Sequence, residues 1–177
     1  MLSFLGRYND KVDSLDLSGS YHDYYAPSCK FYNTNGAVYD GGEAIWTWMK
    51  GLFGVFDTVR HEHKSIRIFP AAAEEWDPAS NAQWVFIDST MFFQFAKKPS
   101  GPDQDEIQMP RFLGFLVGKS EVEGQGTDGL QILQAKVWRD TRTLVPKQAW
   151  AVQRVLRRLT IGAFERHEIN RSESRDR

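Results

Sequence analysis

His61 and His63 are the first residues whose type and spacing could do chemistry. They stand two apart in Val59-Arg60-His61-Glu62-His63-Lys64, a run that reads as the start of a strand. Side chains two apart on a strand share a face, so both imidazoles point one way, and Arg60, Glu62 and Lys64 point to solvent. A neutral imidazole against an apolar surface takes and gives protons near neutral pH. The competing reading is a pair of structural or rim histidines. The same spacing could hold a metal with Asp88 as third ligand, but the expectation is that no metal is bound. Asp88 is the second candidate. It lies in the otherwise apolar run Trp84-Val85-Phe86-Ile87-Asp88, where a carboxylate is costly unless paired or hydrogen-bonded. Facing an apolar interior, its pKa would rise and it could serve as acid or base. Alternatively it lies on the outer face, or pairs with an arginine such as Arg111. Alternation puts Asp88 with Trp84, Phe86 and Thr90, so the four share one fate.

Aromatic residues form the third group: Tyr21, Tyr24, Tyr25, Tyr32, Tyr39, Trp46 and Trp48. A tyrosine hydroxyl in an apolar setting can orient a carbonyl or stabilise an oxyanion, and rings hold flat ligands by stacking. Tyr32 and Tyr25 are candidate orienting donors, and Trp46, Trp84 and Phe86 are candidate pocket walls. Asn33, before the Asn35-Gly36 turn, could offer its amide. For any single ring the competing reading is ordinary core packing. Cys29 has no evident base partner and is not proposed as a nucleophile. The chain contains no G-x-G-x-x-G, no G-K-[ST] phosphate loop and no G-x-S-x-G elbow. Nucleotide cofactors and serine hydrolysis are therefore not expected, and no cofactor is assigned.

The elements that must position these residues follow from length and periodicity. The 177 residues and 20.4 kDa fit one domain, and 41% hydrophobic with 25% charged residues is a globular composition. Lys plus Arg number 22 and Asp plus Glu 23, a net charge of −1. That balance argues against a nucleic-acid binder. One cysteine excludes an internal disulfide and a thiolate zinc site. No run suggests a signal peptide or a membrane span, so a cytoplasmic protein without membrane contact is expected.

The pattern predicts a helix over residues 3–15. A short second helix, capped by Ser18 or Ser20, would run through Tyr25, with a strand from Lys30 to Asn33 after it. The next helix opens at Gly41-Gly42, and its apolar positions are Ile45, Met49, Leu52, Phe53 and Phe56. Strands follow at 61–69, 83–96, 107–118 and 130–139. A last helix starts near Pro146 and carries the stripe Val152, Val155, Leu156, Leu159 and Ala163. Residues 70–81, 97–106 and 119–129 read as hairpin connections, and the polar tail after Phe164 as frayed. Helices first and an antiparallel meander after them define an α+β class. The strands at 83–96 and 107–118 are apolar on both faces, so the second face needs a cover. A partner subunit or the last helix could provide it, and a homodimer is the favoured expectation.

The segment YHDYYAPSCKFYNTNGAVYDGGEAIWTWMKGLF, residues 21–53, resembles the nuclear transport factor 2-like superfamily, also called SnoaL-like. There a helix ends in Y-A-P, and a short strand, a Gly-containing turn and a "G…I" helix follow. The later strands and Lys136-Val137-Trp138-Arg139-Asp140 also resemble it. The likeness covers residues 1–142, with 143–165 as a helical extension and 166–177 as a polar tail. It implies a cone-shaped, curved antiparallel sheet wrapped around N-terminal helices and a deep apolar cavity. The superfamily includes scytalone dehydratase, ketosteroid isomerase, SnoaL-type polyketide cyclases, fungal meroterpenoid isomerases and non-catalytic members. Val59-Arg60-His61-Glu62-His63 resembles the scytalone dehydratase segment that carries a catalytic histidine, with His63 in the matching place. The second histidine of that pair has no counterpart in 83–96. The implied function is cofactor-free isomerisation, cyclisation or dehydration of an apolar polyketide- or terpenoid-like compound. His63 or His61 would be the base, Asp88 a second acid/base and Tyr32 or Tyr25 the orienting donor. The alternative is a non-catalytic ligand-binding or dimerising domain of the same fold.

Overall fold

A computed structural model of the chain describes residues 1–72, 81–96 and 106–138. They all belong to one compact unit, Met1–Asp140. Helix α1 spans Leu2–Asp13 and buries Phe4, Leu5, Tyr8 and Val12, a stripe at spacings of one, three and four that a helix can turn to one side. Ser20 caps the turn that follows by accepting from the backbone N–H of His22. That turn is a single 3-10 turn, Tyr21–Asp23, and strand β1 already runs over Tyr25–Tyr32. The expected helix through Tyr25 is thereby corrected. Tyr25 pairs with Ile132, and the Ile132 N–H donates to the Tyr24 carbonyl at 2.7 Å. Pairing with a strand about a hundred residues further on outweighs the local preference. After the Asn35-Gly36 turn come strand β2, Val38–Asp40, and helix α2, Gly42–Phe53. A Cβ on Gly42 would lie 2.5 Å from the Tyr21 ring and 2.7 Å from the Ala26 carbonyl. Only glycine allows α2 to start this close to β1. Phe56, expected on this helix, instead begins β3.

The remaining strands are β3, Phe56–Pro70; β4, Gln83–Phe95; β5, Ile107–Lys119; and β6, Leu130–Trp138. One six-stranded, curved sheet results, in the order β2-β1-β6-β5-β4-β3. All neighbours are antiparallel except β1 and β6, which are parallel. The sheet is therefore mixed, a correction to the purely antiparallel expectation. The parallel pair arises because β1 precedes the helical crossover of α2, and the meander returns to lie beside it. Both helices cover the same face. Tyr8 of α1 sets its ring edge-on to Phe115 of β5, and Phe53 of α2 packs against Phe56, which packs on Phe93 of β4. On this inner face Val85, Ile87, Ser89, Met91 and Phe93 are at most 3% exposed. The expected helix from Pro146, and the boundary at residue 142, fall outside the described residues.

Candidate functional site

Two registers bring the polar side chains of the inner face together. His61 lies opposite Met91, and Met91 opposite Met109. One step along, His63 lies opposite Ser89, and Ser89 opposite Arg111. Directly opposed residues on neighbouring strands share a face, so His63, Ser89 and Arg111 form one row across β3, β4 and β5. Immediately after His63 the pairing shifts, so that Ser65 faces Asp88 and Lys64 is the extra residue. A bulge of this kind ends one side-chain alternation and starts another. The two histidines precede it and both face inward, their ring centroids 6.5 Å apart.

Helix α1 completes the group from above. Asp13 accepts from the His61 backbone N–H at 3.0 Å through Oδ2, and its Oδ1 meets His61 Nδ1. On the other side of the ring, Arg111 Nη2 meets His61 Nε2. A guanidinium only donates, so Nε2 accepts, and the ring proton sits on Nδ1 and donates to Asp13. The His61 side chain is 2% exposed. Burial first, and then the Arg111 charge, lower its pKa to about 4 against the opposing pull of Asp13. At neutral pH this is a neutral imidazole held between a carboxylate and a guanidinium. Burial acts to raise the Asp13 pKa, but the hydrogen bonds from His61 and the Arg111 charge outweigh it, and the carboxyl titrates below its ordinary value.

Asn9, one helical turn before Asp13, reaches His63, with Nδ2 2.7 Å from Nε2. The amide nitrogen donates, so Nε2 accepts and the proton lies on Nδ1. His63 is half-buried, and burial and Arg111 lower its pKa. Its Nδ1 and the Oγ of Ser89 are buried with no hydrogen-bond partner in the structure. Tyr8 and Tyr25 share a 2.6 Å hydroxyl–hydroxyl contact in the same interior. Burial pushes the Tyr8 pKa up to about 12 and that of Tyr25 well above its usual value, while the Arg111 charge pulls both down.

The sequence candidates divide between the two faces. His61 and His63 are together, as their spacing requires. Asp88 is not with them. It pairs with Ser65 and Phe112 in the opposite alternation, on the outer face with Trp84 and Phe86. The geometry thus corrects its role as second acid/base, and with it the idea of Asp88 as third ligand beside two histidines. Among the described residues no group of three His, Cys, Asp or Glu side chains could hold a metal ion. Tyr32 also faces outward, under the Lys136 ammonium at 5.3 Å, so it cannot orient anything bound beside His63. Trp84 and Phe86 stack on each other on that same outer face, with an interplanar angle of 13°, and are not pocket walls. Tyr25 faces inward, but its hydroxyl is committed to Tyr8 and to Met49 Sδ at 3.2 Å. Trp46 is buried and donates through Nε1 to the Gly19 carbonyl at 2.9 Å. Asn33 closes its own turn by accepting from the Thr34 N–H at 2.8 Å, so its side chain is a turn element.

The residues that complete the site are Asn9, Asp13, Ser89 and Arg111. Asn9 and Asp13 are four apart beside the apolar stripe of α1, a spacing that puts them on one face. Ser89 is the single polar residue in the alternation Val85, Ile87, Met91, Phe93. Arg111, which the sequence pattern offers only as a partner for Asp88, stands on the inner face against His61.

No protein-family model matches the sequence, and no curated protein does. Solved structures do. ActVI-ORFA from Streptomyces coelicolor is similar with a TM-score of 0.58 at 14% identity, over 78% of this chain and 93% of that one. A nuclear transport factor 2-like superfamily protein from Salmonella enterica gives 0.58 at 14%, over 81% and 91%. A protein provisionally described as a scytalone dehydratase, from Novosphingobium aromaticivorans, gives 0.55 at 11%, over 78% and 80%. The chain has the nuclear transport factor 2-like, SnoaL-like fold. Identities this low define the fold alone; what the site does rests on its own residues.

Proposed function

We propose that the chain is a cofactor-independent isomerase, cyclase or dehydratase that moves protons on an apolar, polyketide- or terpenoid-like small molecule. The observation that carries this reading is His63. It is an inward-facing imidazole of lowered pKa, oriented by Asn9 through one nitrogen and with its other nitrogen unpartnered. A general base must be neutral at working pH and must have a free nitrogen within reach of substrate. His61 fails the second condition, since Asp13 and Arg111 occupy both its nitrogens. It serves instead as the fixed bridge that holds Arg111 and Asp13 in place. An asparagine side chain can present either its nitrogen or its oxygen at one position. With the oxygen toward Nε2, the His63 proton moves to that nitrogen and Nδ1 becomes the accepting base. The resemblance of Val59–His63 to a dehydratase segment supports the same residue.

The test is proton exchange in deuterated water, followed by NMR on rigid apolar ketones such as substituted 1-tetralones. The wild type should accelerate exchange beside the carbonyl, and His63→Gln should slow it by about 10²–10⁴-fold. Equal rates in both proteins, or no acceleration on any ketone, would defeat the reading.

A second reading concerns the outer face, where Phe69, Phe112 and Trp138 are 50%, 41% and 44% exposed. Arg67 and Lys136 share that face with Asp88 and the stacked rings. Apolar rings with both charge signs beside them suit a two-fold partner, because each copy offers what the other needs. The proposed partner is a second copy of this chain, and the proposed setting is the cytoplasm. Without turnover at His63, that dimerising face would be the chain's main role.

A further inference from the structure

We infer that Ser89 seats one oxygen of the ligand, a hydroxyl or carbonyl on an otherwise apolar ring, between His63 and Arg111. The inference rests on the proposed small-molecule reading and adds the polar group by which the ligand is recognised. Ser89 is 0% exposed and its hydroxyl has no partner. A buried hydroxyl without a hydrogen bond is destabilising, and natural folds rarely retain one without a reason. His63 Nδ1, on the directly opposed residue, is likewise buried without a hydrogen-bond partner. Two adjacent residues of one row therefore share a single deficit. Side chains opposed in this way hold their Cβ atoms about 5 Å apart, a separation that one oxygen atom can bridge. The neighbour on the far side of Ser89 is Arg111, whose charge favours an oxygen carrying negative character. Val85, Ile87, Met91 and Phe93 supply apolar surface along the same strand and no competing acceptor. His63, on the side away from Arg111, is half-buried and stands on β3, the last strand of the sheet order.

A site built to bond an oxygen rejects an analogue that lacks it, because its polar atoms are then left unpaired. The probes are 2-naphthol and naphthalene, with affinities measured by fluorescence titration on the full chain. The wild type should prefer 2-naphthol by about tenfold or more. Ser89→Ala should reduce that preference to about twofold or less without weakening naphthalene, and Ser89→Cys, of similar size, should behave like Ser89→Ala. Circular dichroism melts confirm that the variants are folded. An unchanged preference in both variants, no preference in the wild type, or no binding of either probe would each overturn the seat. The titration involves no turnover. A Ser89-dependent preference beside a catalytically silent His63 would therefore keep the seat and defeat the enzyme reading. The opposite pair of results would do the reverse.

Discussion

At the scale of single residues, the chemistry depends on which nitrogen of which histidine is occupied. His61 illustrates how a buried imidazole becomes a structural bridge. A histidine titrates near 6.5 when exposed, whereas His61 in the fold titrates at about 4. Between these values the unfolded chain binds a proton that the folded chain does not. Stability is therefore full above about pH 6.5 and falls as the pH drops toward 4. The shift corresponds to on the order of 3 kcal/mol. His63 adds to the loss in the same direction. Urea unfolding at pH 7.5 and pH 4.5 should show a marked drop in midpoint for the wild type and a smaller drop for His61→Gln. A wild-type midpoint that does not move would contradict a buried, neutral His61. Asp13→Ala should also reduce the ketone exchange rate, by about 10-fold or more, through misplacement of His61 and Arg111. A change in KM alone would argue against that positioning role.

At the scale of elements, two local devices place the site. The bulge at Lys64 lets His61 and His63 face inward while Ser65, Arg67 and Phe69 face outward beyond it. Deletion of Lys64 would bring the remainder of β3 into the wrong alternation, because a one-residue slip exchanges the two faces. Ile66 and Ile68 would then exchange places with Arg67 and Phe69. The deletion should lower the thermal midpoint sharply, and a melt indistinguishable from wild type would show that β3 tolerates either register. The second device is the start of α2. Gly42→Ala would force a methyl group into the Tyr21 ring and the Ala26 carbonyl. The expected cost is about 1–3 kcal/mol, measurable by denaturant titration. Because the substitution lies away from His63, the exchange activity of the folded fraction should persist.

At the scale of the molecule, the sheet has two apolar faces and only one is covered by α1 and α2. Among the described residues, the outer face presents Phe69, Phe112 and Trp138 beside stacked Trp84 and Phe86. Sedimentation velocity at micromolar concentration should show a dimer, and the double variant Phe112→Glu, Trp138→Glu should be monomeric through charge placed in the apolar contact. A monomeric wild type would remove the second copy as the partner. No described helix is long and apolar enough to cross a membrane.

Periodicity alone located α1 and the last three strands of the meander to within about two residues, since an amphipathic stripe and a strand alternation are local properties of the chain, but it missed the junction of α2 and β3, where Phe56 to Arg60 extend the strand five residues ahead of the expected start at His61. It also placed His61 and His63 on one face and tied Asp88 to Trp84 and Phe86, because a period of two depends only on neighbours. It could not decide which face was inside, since both alternations of β4 are apolar. That choice is made by the helices that come to rest on one face, and it moved Asp88, Trp84, Phe86 and Tyr32 away from the histidines. Nor could spacing reveal Asp13 or Asn9, which lie some fifty residues from their imidazoles and meet them only when α1 crosses β3. Ser89 was legible as the one polar residue in an apolar alternation, but its meaning depended on finding His63 and Arg111 on either side of it. The residues and their local periods are determined by the sequence. The convergence of distant polar groups on one buried row is decided by tertiary packing, because only the assembled sheet and helix bring those atoms within hydrogen-bond range.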